Sequence, residues 1–231
     1  MALIQQNDSV ELTPGRSVRP DACAGVADAP PTLAKSDAML MPLFLKLEGR
    51  AVLLVGGGPV ATAKAQALVD TGAAVTIVSP ALTPELEALA AAQGCTVHAR
   101  GFEASDLDGV WLAIAGAPPP VNRQVAVAAE ARQIFLLAVD DMASASAYGA
   151  GLVRRGGVTV ALSTGGDAPA LAGLLREGLE AVLPDDLGGW LDEARRLRAE
   201  WRQQTVPMAQ RRPLLLAALN RLYESREGAR G

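Results

Sequence analysis

Three unbroken apolar runs stand out along the chain: AVLLV at 51–55, VWLAIA at 110–115 and IFLLAV at 134–139. Runs this short and this uniformly apolar suit strands buried on both faces, as in a parallel sheet; half-buried strands would alternate. The segments between them carry helix signals. Gly56-Gly57-Gly58 leads into a helix predicted over 59–71, which Gly72 stops, and a strand follows at 74–78. Thr83 is placed to cap a helix that opens at Pro84, carries Glu85 and Glu87 in its first turn and ends at Gly94. Strand 95–99, strand 110–115, a helix near 121–132 and strand 134–139 complete the alternation. Strands interleaved with helices imply right-handed crossovers and a parallel sheet covered on both faces.

After Asp140-Asp141 the pattern changes. A weakly patterned stretch over 142–153 leads to a strand at 157–162, then to the turn Ser163-Thr164-Gly165-Gly166 and a helix over about 168–182. Pro184 breaks the chain before two more helices, near 187–204 and 208–224. Residues 1–40 are rich in Pro, Asp, Ser and Thr without apolar periodicity, and read as a disordered tail, with Met39 or Met41 as an alternative start. The layout is thus a tail at 1–40, an α/β domain at 41–141, a small strand-helix segment at 142–186 and a helical domain at 187–231.

Half of the 231 residues are apolar and only 3% aromatic, which suits small side chains packed tightly between helices and sheet. The net charge of -4 gives no global field to attract nucleic acid. Locally, residues 187–231 hold nine arginines against five acids, either a solvated helix face or a basic lip for an anion. Cys23 and Cys95 make no disulfide framework, and no run approaches a membrane span, so a cytoplasmic setting without membrane contact is expected.

Gly56, Gly58 and Ala61 match G-x-G-x-x-[GA] between a strand and a helix, the context in which this spacing points to a dinucleotide. The first glycine permits the turn, the second lets a diphosphate reach the backbone, and the small third residue brings helix and strand together. Pro59 gives up an amide that would be orphaned anyway. The candidate cofactor residues are Gly56, Gly57, Gly58, Pro59 and Val60, with Ser79, Pro80, Ala81 and Leu82 after the second strand. This is the signature of a Rossmann-like domain, with one exception: Ser79 stands where an acid usually holds the ribose. With no Arg or Lys at 79–84 to take a 2′-phosphate, NAD is favoured over NADP.

Asp140 leaves the strand at 134–139 at the carboxyl edge, where open α/β sheets bind ligands, and is a candidate proton acceptor; the alternative is that Asp140 or Asp141 caps the next turn. Thr164 is a candidate substrate contact or a cap, and Arg154 and Arg155 could meet substrate carboxylates or solvent. His98 is the only histidine, and there is no Gly-x-Ser-x-Gly elbow, no zinc-like Cys/His cluster and no Walker lysine, so no metal site is expected.

Taken in order, MPLFLKLEGRAVLLVGGGPVATAKAQALVDTGAAVTIVSP, GVWLAIA, Val121-Asn122, IFLLAVDD, GVTVALSTGGDAPALAGLLRE and MAQRRPLLLAAL resemble the siroheme synthase N-terminal family, over about residues 41–223. That resemblance implies NAD-dependent oxidation of the tetrapyrrole precorrin-2 to sirohydrochlorin, with Fe2+ as a further substrate in the bifunctional members. It implies Asp140 as the catalytic group, the 56–60 turn and the 79–82 loop as the NAD site, Thr164 near the substrate, and a homodimer whose protomers interlock through 142–186. No methyltransferase segment is expected with it. A binding protein without turnover, or a dehydrogenase of another small acid, stays open. The chain departs from the family pattern at Gly116-Ala117-Pro118-Pro119-Pro120, where Thr then Asp or Asn is usual. It departs again at Ser146-Ala147 with Ala150, in place of Ser-Phe and proline, and at Ala168-Pro169, in place of Ser-Pro.

Overall fold

The apolar runs assemble into one parallel sheet in the structure, a computed structural model that describes residues 40–227, with side chains described through residue 222. The tail expected over 1–40 lies, but for Leu40, outside the described residues. The strands are β1 (Ala51–Val55), β2 (Ala74–Val78), β3 (Thr96–His98), β4 (Leu112–Ala115) and β5 (Phe135–Ala138), in the order β3-β2-β1-β4-β5. Val55 aligns with Val78 on one side and Ala115 on the other, and Ala115 with Ala138, so four strands end level. Helix α1 (Pro59–Val69) joins β1 to β2, α2 (Pro84–Gln93) joins β2 to β3, and α3 (Pro119–Glu130) joins β4 to β5.

Both faces are covered, as the unbroken apolar strands require. Val52, Leu54, Ile77 and Ile114 pack with Ala61, Ala65 and Leu68 of α1 and Leu86 of α2. Leu53, Val55, Ala113 and Leu136 pack on the other face with Val125, Ala128 and Ala129 of α3. Between β3 and β4 the chain makes a short 3-10 turn at Ala104–Leu107, closed by reciprocal hydrogen bonds between Glu103 and Asp106 and fastened by Arg100 to both carboxylate oxygens of Asp106.

The local signals act as the sequence predicts. Thr83 Oγ1 accepts from the Leu86 amide at 3.3 Å, and Gly94 closes α2 at φ 68°. Helix α1 is two residues shorter than expected, because the Thr71 and Gly72 amides turn back to Leu68 and Val69 and tighten the last turn. Helix α3 starts two residues early, since its prolines are already set at helical φ.

The region beyond β5 holds one element the sequence did not announce. The stretch expected to be irregular contains β6 (Gly151–Arg155), which pairs antiparallel with β7 (Val158–Leu162) in a hairpin turned at Gly156-Gly157. Only Val153 of β6 is buried, so no alternation marks it. Then come α4 (Pro169–Val182), α5 (Leu187–Gln203) and α6 (Met208–Glu227), with Trp201 and Ala218 buried in the α5/α6 pair. Among the described residues no helix is long and apolar enough to cross a membrane.

Candidate functional site

The connection from β1 turns to β2 on one side while β4 lies on the other, so the carboxyl ends of β1 and β4 form the crevice where such sheets accept ligands. Two glycines close its floor. Gly56, at φ 127°, backs onto β4 so tightly that a Cβ there would stand 2.4 Å from the Gly116 carbonyl oxygen. A Cβ on Gly57 would stand 1.9 Å from the Ala81 carbonyl oxygen and 2.7 Å from Ser79 Oγ. Gly58 is the opposite case: a Cβ there would meet nothing within 4 Å. It is the N-cap of α1, no side chain caps that helix, and the amides of Gly58, Val60 and Ala61 have no acceptor among the described residues. Bare amides at the positive end of a helix dipole, facing open space, fit the diphosphate of a dinucleotide.

The 79–82 loop borders the same crevice on the β2 side. Ser79 is buried, and its hydroxyl donates to the Ala81 carbonyl at 2.7 Å. Its proton is therefore committed to bracing the loop; toward a ribose the oxygen offers only lone pairs. A hollow of about 310 Å³ opens against Ser79, Pro80, Ala81 and Leu82, walled by Ala90 of α2 and Val97 of β3.

Asp140 lies on the other side of the crevice, two residues beyond the end of β5 and so roughly 10 Å, two strand spacings, from the glycine turn. It is exposed and sits at φ 54°, a left-handed conformation uncommon outside glycine, which Asp tolerates better than most residues. Its neighbour does the capping: Asp141 Oδ1 accepts from the Ser144 amide at 3.3 Å. Among the described residues nothing bonds the Asp140 carboxylate. Beyond it the chain folds back along β5, where Ser146 Oγ accepts from the Leu136 amide and the Ser146 and Ala147 amides donate to the Leu136 carbonyl. This blunts the free edge of the sheet.

The turn holding Thr164 meets the segment after Asp140 at Met142. Gly166, at φ 82°, lies under Met142, whose Cε and Sδ would be 2.1 and 2.5 Å from a Cβ at that glycine. Thr164 itself is half-buried, its carbonyl closing the turn onto the Asp167 amide while Ser163 Oγ accepts from Gly165.

Arg154 and Arg155 lie elsewhere. Gly151 pairs with Leu162 at the Thr164 end of the hairpin, and Arg155 pairs with Val158 at the turn end, roughly 13 Å away along the strand. The Arg155 guanidinium donates to the Leu183 carbonyl and lies 3.5 Å from Asp185. That hairpin turn is seated on the start of α5, where a Cβ on Gly156 would stand 2.2 Å from the Gly188 amide nitrogen.

Two side chains near the crevice were not candidates from sequence. Lys64 of α1 extends Nζ to the 149 segment, within 3.8 Å of where a Gly149 Cβ would be. Asn122 of α3 is 2% exposed and accepts from the Ala117 amide at 3.1 Å. For Asn122 the signal was a polar residue among the buried positions Val125, Ala128 and Ala129 of an otherwise ordinary amphipathic helix.

A family described as "Putative NAD(P)-binding" matches residues 43–149. Siroheme synthase 1 of Aeromonas salmonicida is 44% identical over 173 residues, 74% of this chain and 37% of that protein. Siroheme synthase 2 of Cronobacter sakazakii is 45% identical over 174 residues, 74% of this chain and 38% of that protein. The chain thus spans well under half the length of these curated relatives. A solved structure of SirC, a precorrin-2 dehydrogenase, shares the fold with a TM-score of 0.63 over 77% of this chain and 88% of that one, at 23% identity.

Proposed function

The chain belongs to the siroheme synthase N-terminal domain family, and from that premise we propose that it oxidises precorrin-2 to sirohydrochlorin with NAD. The observation that carries this reading is a donor-rich, uncapped helix start at Gly58 on the same sheet edge as a free carboxylate, Asp140. NAD, when bound, supplies the acceptor for the hydride that leaves the macrocycle.

The chain's own residues do the rest. The amides of Gly58, Val60 and Ala61 hold the diphosphate, the Ser79–Leu82 loop flanks the adenosine half, and the Gly56–Gly116 contact keeps the crevice floor closed. Oxidation removes a hydride and a proton, and Asp140 takes the proton. It sits, with left-handed backbone, at the tip of a strand anchored by Val139 N–H to Ala115 O, and the turn that follows is capped by Asp141. Thr164, brought up by the Met142–Gly166 contact, touches the tetrapyrrole, and Lys64 lies near enough to meet one of its carboxylates. Arg154 remains available at the far end of the hairpin, whereas Arg155 serves the α4–α5 connection. With Fe2+ as a second substrate, the Asp140 carboxylate accepts pyrrole N–H protons as the metal enters.

The segment 142–186 belongs, in this reading, to a homodimer working in the cytoplasm. Helix α4 is strongly amphipathic yet buries none of its residues: Leu171, Leu174, Leu175 and Val182 are exposed along one stripe. A second copy covers that stripe.

The test is an anaerobic assay with precorrin-2 and NAD, following NADH and sirohydrochlorin, with and without Fe2+. Formation of both products is expected. NAD binding without turnover would instead mark a binding protein, and turnover of another small acid alone would move the substrate.

A further inference from the structure

We infer that Asn122 is a positioning residue for the cofactor: it locks the turn between β4 and α3 into a wall of the crevice that offers no free backbone amide. The inference rests on the dinucleotide reading of the crevice and concerns a residue outside the glycine turn.

Every backbone donor from 116 to 122 can be accounted for. The Gly116 amide donates to Val55 O at 2.8 Å. The Ala117 amide donates to Asn122 Oδ1 at 3.1 Å. Pro118, Pro119 and Pro120 have no amide hydrogen, and the amides of Val121 and Asn122 both return to Pro118 O, at 2.9 and 3.1 Å. No amide remains for a ligand. The contrast with α1 is direct, because there Gly58, Val60 and Ala61 leave theirs bare. Two helix starts flank one crevice, one with bare backbone amides and one with none, and a diphosphate has one row of free amides on which to settle.

Asn122 is the piece that makes the second wall complete. The prolines remove three donors by chemistry, but Ala117 would still present one. A buried amide side chain in the first turn of α3 reaches back to take it. Asn122 is nearly as inaccessible as the core leucines around it, so the hydrogen bond is shielded from water, and loss of the acceptor leaves a donor that only a ligand or a rearranged turn can satisfy. The same bond fixes the backbone at Ala117, the chain neighbour of Gly116, against which Gly56 closes. A loosened turn therefore reaches the floor of the crevice directly.

The experiment measures NAD affinity by titration calorimetry, alongside thermal unfolding, for the wild type and for Asn122→Asp, Asn122→Ala and Asn122→Leu. Asp keeps an acceptor, Leu keeps the volume without one. The expected result is an Asp variant within about threefold of wild type, and Ala and Leu variants weakened about tenfold at a temperature where both are folded, the effect of freeing one shielded donor. Lower melting temperatures with unchanged NAD affinity would overturn the inference, since Asn122 would then only fill the core. So would an Asp variant as weak as the Ala one. Hydrogen exchange on the wild type covers the case in which Ala and Leu fail to fold. The Ala117 amide should be protected before NAD is added and barely change afterwards; free exchange until NAD binds would overturn the preformed wall. Failure of the wild type to bind NAD at all sinks the cofactor reading, and the inference with it.

Discussion

Substituting Gly58 by alanine separates cofactor binding from folding, because the three glycines of one turn face different surroundings. At Gly57 a Cβ would overlap the Ala81 carbonyl at 1.9 Å, so the β2–α2 loop would have to retreat about 1.5 Å to restore ordinary contact. Overpacking of that kind costs about 3 kcal/mol, or roughly 6–12 °C in melting temperature for a chain of this size. Gly56→Ala should be at least as damaging, since its Cβ would meet Gly116 O at 2.4 Å and its φ of 127° strains any L residue. Gly58 has φ -84° and ψ -177°, ordinary extended values, and open space before it. There alanine loses about 0.5–1 kcal/mol as an N-cap, but restricts the unfolded chain by about 0.4–1 kcal/mol, so the two nearly cancel. The melting temperature should stay within about 2 °C of wild type. The new methyl, however, projects into the open space before the helix start, where the diphosphate is proposed to lie. Displacing the ligand or the loop costs about 1–3 kcal/mol, a loss in NAD affinity of roughly five- to 150-fold. Differential scanning fluorimetry and calorimetric titration of the three variants read both quantities. A Gly58→Ala protein that binds NAD like the wild type, or that melts as early as Gly57→Ala, would refute the diphosphate placement.

Asp140→Asn keeps a side chain that tolerates left-handed backbone while removing the base; turnover of precorrin-2 should fall about 10²- to 10⁴-fold with NAD affinity and melting temperature unchanged, and undiminished turnover would remove Asp140 from the mechanism. Asp140→Ala is the poorer probe, because it adds a left-handed backbone cost of about 1–2 kcal/mol. The paired hydrogen bonds from Arg100 hold the Asp106 carboxyl below the usual carboxylate range, so its contribution to stability is present above the unfolded value of about 3.9 and lost as pH falls through the folded one. Asp106→Asn should therefore melt earlier than wild type at pH 7, with the gap narrowing below about pH 4; a gap constant down to pH 2 would contradict the pairing. The wild type should sediment as a dimer and Leu174→Glu, on the exposed stripe of α4, as a monomer at the same concentration; an unchanged sedimentation coefficient would leave that stripe without a partner.

Much of the fold was legible along the chain because its determinants are local. Continuous apolar runs mark strands covered on both faces, Thr83, Pro84 and Gly94 punctuate α2, and Gly56 and Ala61 carry the close packing of turn and helix against the sheet. Asp140 could be placed at the carboxyl edge from its position after a strand alone. The hairpin strand β6 was not legible, since a two-stranded ribbon that buries only Val153 leaves no periodic trace.

What the tertiary structure decided depends on where side chains point across long separations in the chain. Asp140 and Asp141 are equivalent on paper; the Ser144 amide, held by the fold of the following segment, selects Asp141 as the cap. The turn holding Thr164 meets Met142, while Arg155 is drawn away to Leu183 and Asp185, because antiparallel pairing puts the two ends of one hairpin at opposite poles. Met142 over Gly166, Gly56 against Gly116 and Asn122 reaching back to Ala117 are likewise meetings of residues on different elements or across a turn. Sequence spacing dictates which face of an element a residue occupies, and so it determined the sheet, the glycine turn and the candidate base. It says nothing of which element that face will meet, and so the walls of the crevice were set only when the strands had paired and the helices had packed.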